Sequence, residues 1–149
     1  MLLLGLDIGT SSVKASVVDA ATQQCIASTQ FPESESGITS LHPGWAEQAP
    51  GMWWDHVQSA ILKLHAQKKY DPNDITAIGI AYQMHGLVAI DKEQQVLRDS
   101  IIWCDSRAVQ IGHEAFEKIG KDRCLEHLLN SPGNFTASKL AWVKMNEPG

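Results

Sequence analysis

Short apolar runs broken by polar turn formers open the chain, and a helical rhythm follows them. Leu2 to Leu6 is apolar, Gly9 to Ser12 are turn formers, and Val13 to Val18 alternates well enough for a second strand. Asp19 to Gln24 is polar, and Cys25 to Phe31 can return as a third strand. Two tight connections joining three short strands predict an antiparallel meander. From Pro32 to Pro50 the chain is rich in Pro, Gly, Ser and Glu with no sustained period, which predicts a long surface excursion. Over Met52 to Lys68, Trp53, Val57, Ala60, Ile61 and Leu64 recur at helical spacing and give one apolar face. Asp71 to Asp74 ends that helix, and the β-branched run Ile75 to Tyr82 predicts a buried, central strand parallel to the first. Leu87 to Asp91 and Ser100 to Trp103 are further short strands. Asp105 can cap a second helix running to about Ile119, and shorter helices cover Cys124 to Leu129 and Ala137 to Met145. The order predicts an α/β domain, a mixed sheet with flanking helices.

Composition narrows the classes. The chain has 149 residues, 44% hydrophobic and 19% charged, which excludes disorder and gives one domain with room for a core. Twelve Lys plus Arg against seventeen Asp plus Glu give a net charge of -5 with no basic run, so no nucleic-acid surface is expected. An anionic nucleotide stays possible, because backbone amides and a metal can hold its phosphates. The three cysteines, Cys25, Cys104 and Cys124, have neither zinc-ligand spacing nor a partner pattern and read as reduced thiols. Met1 to Leu4 is apolar, but it lacks a basic leader and is cut short by Asp7. No run approaches a membrane span. A soluble, cytoplasmic protein without membrane or nucleic-acid partners is the expectation.

Three segments carry candidate chemistry. In Gly5-Leu6-Asp7-Ile8-Gly9-Thr10-Ser11-Ser12-Val13-Lys14 a strand ends on a carboxylate, and a hydroxyl-rich turn leads to a lysine. Such a turn can aim N–H and O–H donors at an anion while Asp7 holds a Mg²⁺ or its waters. It is not a Walker A loop, and the residues suit a polar hairpin with an incidental aspartate equally well. Tyr82-Gln83-Met84-His85-Gly86 follows a strand, where α/β sheets present ligand-binding groups, although a lone histidine also fits a structural role. In Ile101-Ile102-Trp103-Cys104-Asp105-Ser106-Arg107, Trp103 suits the C–H face of a sugar and Asp105 its hydroxyls. In isolation the same residues read as core, helix N-cap and solvated first turn. Trp45, Trp53 and Trp54 are unusual too, since adjacent tryptophans on a helix cannot share one core direction and one can close a cleft or an interface.

With Pro43-Gly44-Trp45-Ala46-Glu47-Gln48 and Phe135-Thr136-Ala137-Ser138-Lys139-Leu140, these segments run through nearly the whole chain in one order. In that order the sequence resembles the N-terminal portion of the FGGY carbohydrate kinases, most closely the bacterial xylulose kinases.

The resemblance implies a ribonuclease-H-like fold of the actin, Hsp70 and sugar-kinase superfamily. It implies transfer of the ATP γ-phosphate to D-xylulose, with ATP and Mg²⁺ as cofactors. Alternatives are a kinase for ribulose, gluconate or glycerol, or a non-catalytic sugar-binding module. By this likeness Asp7 positions metal and phosphate, and Gly9, Thr10, Ser11, Ser12 and Lys14 form the phosphate-facing hairpin. Met84 and His85 contact the sugar where glycerol kinases carry Arg-Glu, Trp103 and Asp105 line the sugar pocket, and Asn134 stays unassigned. Members of the family are several times longer, so residues 1–149 are expected to be the N-terminal sugar-kinase domain, a fragment of a longer enzyme. The general base and the adenine-holding ATPase-like domain would then lie downstream, in the remaining C-terminal domain, and a homodimer is a further possible partner.

Overall fold

The computed structural model describes residues 1–148. They fall into two units, Met1–Gly37 with Gly51–Gln83, and Ile38–Pro50 with the residues from Met84 onward.

In the first unit β1 (Leu2–Ile8), β2 (Val13–Asp19) and β3 (Gln24–Phe31) form the expected antiparallel meander. The later strand β5 (Ile75–Tyr82) joins β1 in parallel, giving the order β3-β2-β1-β5. One face of β1 and β2 carries Leu2, Leu4, Leu6, Val13, Ala15 and Val17, all buried, because side chains alternate across a strand. Helix α1 (Pro50–His65) lays Val57, Ala60 and Leu64 on that face. Its start is set by Pro50, whose missing N–H costs nothing at the first helical position. Leu64 is fully buried, and a leucine so placed contributes about 1.5–3 kcal/mol.

β5 departs from expectation in one respect. It is parallel to β1, but it is the sheet's edge strand and is largely exposed. Ile78, Ile80 and Tyr82 are register partners of Leu4, Leu6 and Ile8 and continue the same apolar face. Their exposures are 59%, 59% and 69%. A β-branched run identifies a strand without saying which neighbours cover it.

In the second unit two short strands, β4 (Glu47–Gln48) and β6 (Ser100–Ile101), pair antiparallel. The stretch from Pro32 to Pro50 is therefore not all surface excursion, since Ala46, Glu47 and Gln48 are buried. Leu87 to Asp91 makes only single bridges, Leu87 to Ile101 and Ile90 to Val96, instead of a strand. Helices α2 (Val109–Ile119), α3 (Lys121–Leu128) and α4 (Thr136–Asn146) follow. Asp105 does not cap α2, which starts after Ala108 without a side-chain cap. A Cβ on Gly112 would lie 2.3 Å from Gly133 Cα, so only glycine lets α2 approach the 3-10 turn Pro132–Asn134 so closely.

Candidate functional site

The expected residues form two groups, one in each unit. In the first unit Asp7 is the last residue but one of β1 and Lys14, its register partner, is the second of β2, with Lys14 Nζ 3.5 Å from Asp7 Oδ2. Opposite residues of an antiparallel pair share a face, so the register alone brings the two charges together. Both side chains are more than half exposed. The turn between them is closed by the Gly9 N–H donating to Ser12 O at 3.1 Å, and a Cβ at Gly9 would lie 3.0 Å from that oxygen. Gly9 thus supplies a tight turn, its own amide being committed. Ser36 donates to the Ser11 carbonyl from both N and Oγ at 2.8 Å, fastening the turn from outside.

Gln83, a hydrogen-bonding residue of the segment that follows β5, belongs to this group as well. Its amide N–H donates to Ile8 O at 3.2 Å, and its Oε1 accepts from Thr10 Oγ1 at 3.3 Å. Its Nε2 is buried with no hydrogen-bond partner among the described residues, a donor left over beside the hydroxyl turn.

In the second unit Met84 is 66% exposed and His85 is also exposed. His85 has φ 61°, the left-handed region uncommon for a residue with a Cβ. Its ring stacks on Phe135 with centroids 4.6 Å apart and planes 12° from parallel. The His85 carbonyl accepts from Lys139 Nζ at 2.8 Å, and the Gly86 carbonyl accepts from Thr136 Oγ1 at 3.1 Å. Lys139 also donates to Asn134 O at 2.7 Å and to Asn134 Oδ1 at 3.0 Å, while Asn134 Nδ2 donates to the Trp103 carbonyl. Hydrogen bonds therefore join segments 84–86, 103 and 134–139. Trp103 itself is 50% exposed.

Asp105, expected beside Trp103, is fully buried. Its Oδ2 accepts from the Ala46 N–H at 2.6 Å and from Arg107 Nη2 at 2.7 Å, and its Oδ1 accepts from the Arg107 N–H at 2.9 Å. The Arg107 guanidinium also lies 2.7 Å from Glu47 Oε1 and is stacked 3.8 Å over the Trp45 ring and 5.0 Å from that of Trp142. Asp105 holds the segment that carries Trp103; its oxygens are spent on protein donors. Trp45 is thereby accounted for as a platform for arginine, whereas Trp54 points outward at 64% exposure.

Burial pulls the Lys139 ammonium below the ordinary lysine range, against the opposing fields of Asp105 and Cys104 and with a smaller push from Arg107. Lys139, Asn134 and Phe135 were not legible as site residues individually, although the segment Phe135 to Leu140 stood out. An open cavity of about 560 Å³ between the end of α2 and α3 is lined by Lys118, Arg123, Cys124 and His127 and includes none of the expected site residues.

Comparison with known proteins gives these groups a context. Residues 2–149 match the N-terminal domain of the FGGY family of carbohydrate kinases. The chain is 35% identical over 147 residues to the xylulose kinase of Escherichia coli (strain K12), covering 99% of this chain and 29% of that protein. Among solved structures it is similar to a xyloylose kinase from Brucella ovis, with 38% identity, a TM-score of 0.84 and coverage of 99% of this chain and 30% of that one. A gluconate kinase from Lactobacillus acidophilus matches at 26% identity and a TM-score of 0.81, covering 99% of this chain and 29% of that one. The mixed α/β architecture expected of a sugar kinase of the actin and Hsp70 type is the one observed. The chain spans less than a third of the length of these relatives, and it belongs to the FGGY family of carbohydrate kinases.

Proposed function

We propose that this chain is the sugar-binding and phosphate-positioning part of an ATP-dependent kinase that phosphorylates D-xylulose. The observation that supports this reading best is the paired arrangement of Asp7 and Lys14 about a tight hydroxyl turn, in a chain whose relatives are named xylulose kinase. Lys14 and the hydroxyls of Ser11 and Ser12 would bind the oxygens of the transferred phosphoryl group, whose charge is spread over them in the transition state, while Thr10, whose hydroxyl donates to Gln83 Oε1, would hold the Gln83 amide beside them. Gln83 Nε2, buried without a partner among the described residues, is one more donor on that side.

Asp7 is the residue that would hold Mg²⁺. A magnesium ion keeps several waters and asks for one or two carboxylates plus substrate phosphates. One half-exposed carboxylate fits that demand, and no cluster of three metal-ligating side chains exists among the described residues. Bound there, the ion would supply charge neutralisation for the phosphates. Met84 and His85 would contact the sugar, with Trp103 as the apolar wall. Asp105 would act by holding that wall through Ala46 and Arg107.

The general base and the adenine-holding domain are expected from the remaining C-terminal domain of the same enzyme. Domain assignment, a homodimer and a cytoplasmic location are parts of the same proposal; no helix among the described residues is long and apolar enough to cross a membrane. The test is calorimetric titration of the full-length protein with D-xylulose, D-ribulose, gluconate and glycerol, followed by ATP-dependent phosphorylation of each. D-xylulose is expected to bind tightest and to be phosphorylated. Preference for another of the four would replace the substrate, and sugar binding without phosphorylation by the full-length protein would favour a non-catalytic module.

A further inference from the structure

Lys139 is the largest fully buried side chain among the described residues, and its head group is a cation. An ammonium has three donors and no acceptor. Here the donors meet His85 O at 2.8 Å, Asn134 O at 2.7 Å and Asn134 Oδ1 at 3.0 Å. Burying a charge costs far more than burying a methylene chain, so a methionine of similar shape would pack at this place without that cost. What the ammonium adds is a tie between two turns far apart in sequence.

Both turns need such a tie. His85 sits at φ 61°, and its ring lies flat on Phe135, the neighbour of Asn134. Asn134 in turn donates to the carbonyl of Trp103. A donor aimed at His85 O holds the strained turn from its carbonyl side, and the same donor group fixes the turn that carries the stacking ring and the Trp103 contact. Without it two inward-facing carbonyls lose their partner, and the His85 turn is free to relax toward an ordinary backbone conformation.

We propose that Lys139 is a positioning residue for the sugar site: it fixes the His85 turn and the Asn134 turn in one geometry without touching the sugar. The inference rests on the sugar-site reading above. No element of that reading assigns Lys139 a role.

The test uses Lys139→Met and Lys139→Arg in the full-length protein, with two readouts. D-xylulose titration is expected to show affinity weakened about tenfold or more in Lys139→Met, as misplacement of a contact group does, while nucleotide affinity holds. Lys139→Arg, which keeps the charge and donors, is expected to recover part of the loss. The second readout needs no sugar. In the NMR spectrum the His85 ring protons should carry the ring-current shift of the stacked Phe135, and in Lys139→Met they should move toward unstacked positions. A Lys139→Met protein that melts lower yet keeps the His85 ring signals and the D-xylulose affinity overturns the proposal, since Lys139 would then be structural only. If Lys139→Met does not fold, Lys139→Gln, which loses the charge, one donor and one atom of reach, is read by the same two measurements with the same expectation. Wild-type protein that binds no D-xylulose would overturn the sugar reading, and the sugar-independent ring signals would still decide whether Lys139 fixes His85.

Discussion

Lys14 and Asp7 face each other across β1 and β2 with 3.5 Å between Nζ and Oδ2, because the strand register makes them direct partners. Both are more than half exposed, so water screens the pair and its contribution to stability is about 0–1 kcal/mol. Its significance is placement. Two strands that cannot slip without turning their apolar faces to solvent hold a cation and an anion side by side at a hydroxyl turn.

Asp7→Asn in the full-length protein is expected to lower kcat by about a hundredfold or more, on the scale of losing one transition-state charge contact. The D-xylulose affinity should stay within about threefold, since a group that organises phosphoryl charge acts mostly in the transition state. Steady-state kinetics beside sugar titration separates the two. Near-normal kcat with a raised KM for sugar would move Asp7 into the sugar pocket.

His85→Ala is expected to do the reverse. Losing one hydrogen bond to a bound sugar that covers the exposed ring costs about 1–3 kcal/mol, a factor of roughly 5 to 150 in sugar affinity. Nucleotide affinity measured without sugar should not change. An unaltered xylulose affinity with a lower melting temperature would return His85 to a structural role.

Asp105→Ala leaves the Arg107 guanidinium, whose side chain is 1% exposed, with one of its two carboxylate partners gone. Breaking a buried pair from one side costs about 3–5 kcal/mol. The double variant Asp105→Ala/Arg107→Met is expected to cost less than the sum of the single changes, because the stranded charge is removed with its partner. Urea unfolding of the four proteins measures this. Additive losses would mean that the ion pair does not exist in solution.

Lys139 also makes stability depend on pH. Burial lowers its native pKa from the ordinary 10.5, with Asp105 and Cys104 acting in the opposite sense and Arg107 adding to the lowering. Between the native value and 10.5 the unfolded chain binds more protons, so this group makes stability rise as pH climbs through that window and adds no slope below it. Tyr70, raised above 10.0 by burial, lowers stability as pH rises past 10.0. The difference between wild type and Lys139→Met cancels Tyr70. That difference should shift in favour of wild type as pH rises toward 10.5, measured by urea midpoints at stepped alkaline pH. A pH-independent difference would contradict the burial effect.

The meander and α1 were legible in sequence because they follow from periodicity and short connections within their own segments, and the parallel entry of β5 because a helical crossover precedes it. The rest depends on partners distant in the chain. β4 has two residues, Glu47 and Gln48, and exists because Ser100 and Ile101 pair with them. Asp105 reads locally as a helix cap, yet the backbone amide of Ala46 and a guanidinium held by Trp45 and Trp142 claim it. Nothing near residue 105 announces those partners. The segment Phe135 to Leu140 was conspicuous, but the burial of Lys139 and its reach to His85 belong to the folded chain.

β5 ends the sheet with one side hydrogen-bonded to β1 and with Ile78, Ile80 and Tyr82 turned to water. An apolar edge strand is a template for another strand, and soluble proteins usually blunt such edges with charge, proline or a cover. None of the residues from Ile75 to Tyr82 is charged or a proline. β5 has neither of the first two devices. The eight residues that pair with β1 on one side leave their other side able to take a further strand, so β5 is where this sheet would grow.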